Sequence, residues 1–307
     1  MEIVQPIDQP VDISHWKRED PYPEGARDKS LIFCPTPSNY DFLDAGQGYL
    51  FKLSSKNYPE QFWAEILAYY VGIQMQVSVP PTFVAFDDRN NQTGALIKWF
   101  LDESSSNAEE YQSGSDYCGR YILDFDHKKG TKHNFETVAQ IFTENFNQID
   151  WRNDWAKIFA FDSLIGNTDR HQKNWGIIIS VKNGVRIAPA FDNGTSMGHE
   201  ILPEKFDTKN IEKYVSDGTH HMRWKLDTLR IEHCEFLKRI IQQYPETVET
   251  IRNCLRRLDY EFFEKTLDFL TQFDVPVKLT KDRAKFMLKL LEFRYKRLLN
   301  LLSELGL

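Results

Sequence analysis

Between the apolar segment FAFDSLI and the apolar run IIISV the chain places GNTDRHQKNWG, Gly166 to Gly176, packed with charges and amides. A stretch this polar between two core-forming segments must either solvate itself as a turn or form a site. Its flanks restrict the choice. Trp155, Ile158, Phe159, Asp162 and Ile165 recur at helical spacing, and Gly166 is placed to end that helix in a left-handed cap. Beyond the motif, GIIISV and VRIAPA surround Lys-Asn-Gly, a tight-hairpin signal. The local fold is therefore helix, polar turn, hairpin.

The rest of the chain divides in character around it. Residues 1–24 hold Pro6, Pro10, Pro21 and Pro23 among polar residues, which predicts an irregular arm. KSLIFC and YLFKL follow as strands, with Tyr49, Phe51 and Leu53 on one face and Leu50 and Lys52 on the other. Pro59 suits the first turn of a helix through EQFWAEILAYYVG that stops near Gly72. PTFVAFD and GALIKWF are two more strands. Residues 102–135 are polar and read as a mobile insertion or a boundary. From about 208 the pattern is helical, and Thr280 is the expected N-cap of a long last helix.

The expected fold class is α+β, two-lobed and protein-kinase-like: a small β-rich lobe over 25–102 and a larger, mostly helical lobe over 103–307 carrying the hairpin. Two such lobes make a cleft.

Composition removes several classes. A net charge of −7 argues against broad binding to nucleic acid or anionic membrane. No window approaches the roughly 18 apolar residues a membrane helix needs. The start MEIVQPIDQPVD lacks the regions of a Sec signal. A cytoplasmic protein is expected, with secretion as an effector left open. Cys34, Cys118, Cys234 and Cys254 form no CxxC pair, so free thiols are expected rather than a zinc site.

Phosphoryl transfer needs an acceptor for the substrate proton, oxygen ligands for magnesium and a cation on the phosphates. Asp169 and Asn174 have the spacing of the catalytic Asp and metal-binding Asn in the kinase loop HRDxxxxN. The two hairpin strands are nearly equal in length, so Asp192 in Phe191-Asp192-Asn193-Gly194 should return beside Asn174. Magnesium takes few protein carboxylates, and one Asn with one Asp is enough. Lys52 on its strand and Glu65 on the next helix match the order of the kinase Lys–Glu pair. EGARDKS lies where a phosphate-covering loop would, with Gly25 allowing close approach and Arg27 and Lys29 supplying charge.

Each feature has a structural alternative. Asp169 and Asn174 suit turn formers, Lys52 a solvated strand lysine, Glu65 a solvated helix glutamate and His171 a packing residue. Arg170 and His171 stay open between support and nucleotide contact. The basic residues from Lys278 to Arg297 read as a solvated face, and Leu290, Leu291, Leu298, Leu302 and Leu305 as core or a partner-binding stripe.

GNTDRHQKNWG and IAPAFDNG, with EGARDKS, YLFKL and AEILA, resemble the HipA-like serine/threonine kinases, known for toxin kinases of toxin–antitoxin pairs. The resemblance spans roughly residues 24 to 200. It implies ATP and Mg²⁺ as cofactors, Asp169 as catalytic base and Asn174 and Asp192 as metal ligands. It implies nucleotide contacts from Gly25, Ala26, Arg27, Lys29, Ser30, Lys52 with its partner Glu65, His171, Lys173, Asn174, Phe191 and Asp192, and a hinge at Lys98, Trp99 and Phe100. Where family loops often carry a second glycine or a GxQ pattern, this chain has Glu24. Full-length toxin members carry about 100 residues before that loop, so a stand-alone kinase core is expected.

The expected function is transfer of the γ-phosphoryl group to a Ser or Thr of a protein substrate, with autophosphorylation, Ser30 a candidate site, and an antitoxin-like partner possible. Two rivals stand beside it: a phosphoinositide-type lipid kinase, and a pseudokinase that binds nucleotide without transfer.

Overall fold

Alternation in YLFKL sets the first layer. In the computed structural model, which describes residues 4–19, 28–102 and 108–307, six strands form one sheet. They are β1 (Val11–Asp12), β2 (Lys17–Glu19), β3 (Lys29–Phe33), β4 (Gly48–Lys52), β5 (Thr82–Asp87) and β6 (Gln92–Lys98), in the spatial order β1-β5-β6-β4-β3-β2. All pairs are antiparallel except β1 with β5. Tyr49 and Phe51 face a core of their own with Phe83 and Leu96, while Leu50 packs on the other face, toward the helices.

The first strands correct the expectation of an irregular arm. Val11, Ile13 and Trp16 are buried in the outer core of the sheet, and β1 and β2 form its two edges. The flanking prolines masked a short apolar set that needs the sheet to be recognised, because two or three residues carry no periodicity of their own.

Helix α1 (Gln61–Met75) covers the inner face. It runs past Gly72 and ends at Gln76, whose φ of 54° makes the left-handed cap. Gly72 serves packing instead: a Cβ there would lie 2.5 Å from a Val79 methyl. Pro59 stands outside the helix, before the N-cap Glu60.

The polar segment after the sheet is also more ordered than its composition suggests. β7 (Glu109–Ser113) and α2 (Gly114–Tyr121) lie within it. Then come α3 (Phe135–Asn145), α4 (Trp151–Ile165), β8 (Gly176–Ser180) and β9 (Gly184–Ile187), and β7 pairs with β8 to make the hairpin three-stranded. Turn residue Gly184 has φ 72°. The helical remainder is α5 (Ile211–Asp217), α6 (His233–Gln243), α7 (Val248–Arg256), α8 (Tyr260–Leu270) and α9 (Lys281–Glu304). Thr280 caps α9 by accepting from the Arg283 N–H at 3.1 Å.

One apolar core runs through α1, α4 and the C-terminal helices, and Leu290, Leu291, Leu298 and Leu302 are buried. The expected basic face of α9 needs correction, since Arg283 and Arg294 are buried. Arg283 forks onto Glu60 at 2.9 and 3.0 Å and donates to the carbonyls of Gly198 and Ile201, so it joins α9 to the start of α1. All four cysteines are unbonded, and no helix of the described residues is long and apolar enough to cross a membrane.

If the N-terminal segment is part of the folding unit, Trp16→Ala should lower stability by about 3–5 kcal/mol. Urea denaturation of the full chain measures it; an unchanged midpoint would show the segment merely rests on the sheet.

Candidate active site

Asp162 occupies a position of α4 that its helical spacing assigns to the core, and it is fully buried there. A buried carboxylate requires a partner, and Arg170 supplies it. Its Nε donates to Asp162 Oδ2 at 3.0 Å and its Nη2 to Oδ1 at 2.8 Å, a two-pronged ion pair. Burial pushes the Asp162 carboxyl up, but the Arg170 guanidinium and the His220 ring, 3.5 Å away, outweigh it and hold it at about 2.

The helix stops where the sequence predicts, at Gly166 with φ 67°. Asn167 then donates to Asp162 Oδ1 at 3.2 Å and accepts from the Asp169 N–H at 2.9 Å. The Asp169 carbonyl accepts from the His171 N–H at 2.7 Å and from Asn174 Nδ2 at 2.8 Å. Asp169 and Asn174 are thus turn formers, and the Asn174 side chain is held against the Asp169 backbone. Because the Asn174 amide nitrogen is spent on Asp169, its carbonyl oxygen is turned the other way.

The hairpin brings the chain back as its strand lengths require. Arg170 Nη1 donates both to the Asn174 carbonyl at 3.2 Å and to the Phe191 carbonyl, so one nitrogen spans the outgoing and returning ends. Arg170 Nη2 also donates to Asn193 Oδ1 at 2.7 Å. Asp192 takes a left-handed φ of 58°, an uncommon conformation for a non-glycine residue.

From the other lobe, Lys52 Nζ donates to Glu65 Oε2 at 3.2 Å and to Asp192 Oδ1 at 2.5 Å. The second oxygen of Glu65 accepts from the Asn193 N–H at 2.7 Å. Glu65 therefore positions both the lysine and the backbone of the returning loop. The Lys52 and Glu65 side chains are nearly inaccessible, while that of Asp192 is 28% exposed and reaches the cleft.

A cavity of about 840 Å³, within the range of small-molecule sites, lies between the segment 98–102, the strands β3 and β4, and the hairpin residues Asn183, Arg186 and Pro189. Lys98, Trp99 and Phe100, the expected hinge residues, line it, whereas Lys52, Glu65, Asn174 and Asp192 do not. Lys98 is paired with Asp44 at 2.5 Å. The backbone of Trp99 is engaged: its N–H donates to Gly48 O at 3.0 Å and its carbonyl accepts from Gln47 at 3.2 Å. Phe100 stacks on Phe191 with centroids 5.3 Å apart, and Tyr111 meets both edge-on.

Other expected residues fall differently. Gly25, Ala26 and Arg27 lie outside the described residues. Lys29 and Ser30, which end EGARDKS and also open the expected KSLIFC strand, belong to β3, where they pair with Lys52 and Phe51. Lys29 shares the cleft face with Lys52, whereas Ser30 shares the face of Phe51, turned from the cleft. His171 is a half-buried packing residue whose Nδ1 accepts from the Lys173 N–H at 3.1 Å and whose ring meets His221 edge-on. Burial lowers its pKa. His133, His220, His221 and His233 are also buried around this loop, and burial lowers His133 strongly and His221 and His233 to about 3.

Asp162, Asn167 and Asn193 were not singled out from the sequence. Asp162 carried a signal, a carboxylate within an apolar helical stripe. Asn193 had none beyond its place after Asp192.

A curled β-sheet lobe against a helical lobe, with a strand lysine paired to a helix glutamate, is a protein-kinase-like fold. The chain belongs to the HipA-like C-terminal domain family, whose model matches residues 23–258. Among solved structures, the Helicobacter pylori proinflammatory kinase CtkA superposes with a TM-score of 0.74 at 16% identity, over 95% of this chain and 96% of that one. HipA of Shewanella oneidensis MR-1, in its complex with HipB and operator DNA, gives 0.56 at 13% identity, over 96% and 68%. No curated protein matches the chain in sequence.

Removing Arg170 strands Asp162, so Arg170→Ala should cost about 3–5 kcal/mol in chemical denaturation, against almost nothing for an exposed pair such as Lys265–Glu261. The buried histidines predict an acid limb. His221 and His233 titrate near 3 when folded against an ordinary 6.5, so the unfolded chain binds more protons between those values. Their contribution is complete above about pH 6.5 and is lost as pH falls toward 3. The urea midpoint should therefore drop between pH 7 and pH 4, and His233→Asn should flatten that slope.

Proposed function

We propose that this protein is an ATP- and Mg²⁺-dependent serine/threonine protein kinase of HipA-like type. The observation that carries the reading is the single ammonium of Lys52 joining Glu65 of one lobe to Asp192 of the other. The contact supports a reading in which Lys52 is the cation for the phosphates and Asp192 the carboxylate for the metal, at one point of the cleft.

The adenine would occupy the cavity lined by Trp99 and Phe100, with the phosphates toward Lys52 and the cleft face of Lys29. Asn174 and Asp192 would hold magnesium, and their chemistry fits it: one amide oxygen turned away from Asp169 and one partly exposed carboxylate, both hard donors. Bound there, the ion would neutralise charge developing on the phosphoryl oxygens. Asp169 would orient the substrate hydroxyl and accept its proton late, since the transition state is loose and catalysis is mostly positioning. Arg170 touches no substrate in this scheme. It locks the two loops that carry Asp169, Asn174 and Asp192.

HipA's complex with HipB supports an antitoxin-like protein as a partner class for this chain as well.

Incubation with γ-labelled ATP and Mg²⁺ should label protein, including the chain itself, at Ser or Thr and not lipid. Asp169→Ala should cut transfer by about 10²-fold or more while nucleotide still raises thermal stability. Surviving transfer would remove Asp169 from its role, and nucleotide binding without any transfer in the native chain would make this a pseudokinase.

A further inference from the structure

The segment that follows α5 folds back on the catalytic loop. Its two arms run antiparallel: Thr219 bridges Glu232, and the His220 N–H donates to the Ile231 carbonyl at 3.0 Å. That register sets Arg230 opposite His221, whose ring meets the ring of His171 in the catalytic loop edge-on, with centroids 5.8 Å apart. The first arm is pinned from its far end as well. The Arg223 N–H donates to the His133 carbonyl at 3.0 Å, and the Arg223 carbonyl accepts from the Phe135 N–H at 2.8 Å. Arg223 Nη1 donates to the Thr228 carbonyl, which ties the Arg223 side chain to the arm that carries Arg230.

Two guanidinium groups therefore neighbour each other next to the loop that carries Asp169. Arg230 is exposed and Arg223 half-buried, and among the described residues neither forms an ion pair. Burial of its inner side and the neighbouring Arg223 lower the Arg230 pKa, and Asp169 raises it. Like charges held together cost free energy, which an anion laid against them recovers. The other acids of this region are engaged or solvated. Glu136 pairs with Lys225 at 2.9 Å. Glu232 caps α6 by accepting from the N–H groups of Cys234 and Glu235, and lies 3.4 Å from Arg297. Asp227 is exposed in the turn 225–228, where water screens it. Leu229, beside Arg230, is 82% exposed, an apolar contact that a peptide can use and a bare ion cannot.

We infer that Arg223 and Arg230 form a docking site for an acidic peptide segment, selecting protein substrates that carry Asp or Glu beside the hydroxyl to be phosphorylated. The inference rests on the kinase reading, in which that hydroxyl lies at Asp169. A chain of net charge −7 with a carboxylate at its catalytic centre repels acidic segments, and the two arginines offset that repulsion at the point of approach. A planar carboxylate matches the guanidinium fork. A phosphoryl group brings three acceptor oxygens and more charge, for which an Arg223 already committed to Thr228 leaves fewer donors.

The test is fluorescence anisotropy of the full chain with a labelled peptide that has Ala in place of the target Ser and Glu on either side. Versions flanked by Lys, or by phosphoserine, are compared with it. Saturable binding of the Glu peptide is expected, about tenfold or more tighter than the Lys peptide and weakening with salt. Arg230→Glu should abolish that preference and Arg223→Gln reduce it. Lys265→Glu, the same charge change at an exposed residue of α8, should leave it intact. With Ser restored in the peptide, Arg230→Glu should raise KM for the Glu peptide about tenfold and leave KM for ATP and kcat unchanged. No preference for the Glu peptide overturns the site, as does a preference lost equally in Lys265→Glu. Tighter binding of the phosphoserine peptide overturns the choice of a carboxylate. A fall in kcat on every peptide with binding unchanged overturns the docking role and makes the pair part of the surroundings of Asp169. Anisotropy needs no transfer, so binding that persists in a chain unable to transfer removes the kinase reading and keeps the docking site.

Discussion

The buried ion pair between Arg170 and Asp162 is the interaction on which the site depends. Asp162 comes from the rigid end of α4, and Arg170 carries that rigidity into the loop by bonding the carbonyls of Asn174 and Phe191 and the side chain of Asn193. A loop alone would leave Asp169, Asn174 and Asp192 free to drift, because none of them belongs to an apolar core cluster. One guanidinium with five donors, fixed in a plane, can register both ends of the hairpin at once. The energetic gain of such a pair over an apolar substitute is small; its value here is geometric.

Glu65 does the same from the other lobe. One of its oxygens holds Lys52 and the other holds the Asn193 backbone, so α1 is a strut between the lobes rather than a helix of the small lobe alone. Trp63, donating to Val277 O at 3.1 Å, and Glu60, gripping Arg283, tie the same helix to the C-terminal region. The apolar core is continuous across this junction. The cleft is therefore framed by packed elements, with α9 tied to the start of α1 through Arg283 and to the end of α4 through Arg294.

Much of the site was legible in the chain because it follows from local rules. The Asp169–Asn174 spacing, the Gly166 cap, the Lys-Asn-Gly turn and the alternation of YLFKL each act within a few residues, and each appears in the fold. Strands β1 and β2 were not legible, since two or three residues have no period. Lys29 and Ser30 were read both as the end of the EGARDKS loop and as the start of the KSLIFC strand, and pairing with β4 puts them in the strand. The basic residues of α9 seemed a solvated face because charge alone does not reveal a carboxylate two hundred residues away.

By itself the sequence determined which residues could do chemistry and in what order they come: a strand lysine, a helix glutamate, Asp169 and Asn174 in one turn, and Asp192 one hairpin later. Periodicity and turn chemistry are local, and a chain carries them in full. Only the tertiary structure decided that Asp192 meets Lys52, that Glu65 has a second task, that Arg170 is a brace and that Arg283 is buried against Glu60. Those outcomes depend on contacts between distant segments and on the loss of water around charges, and both exist only once the lobes have closed on each other.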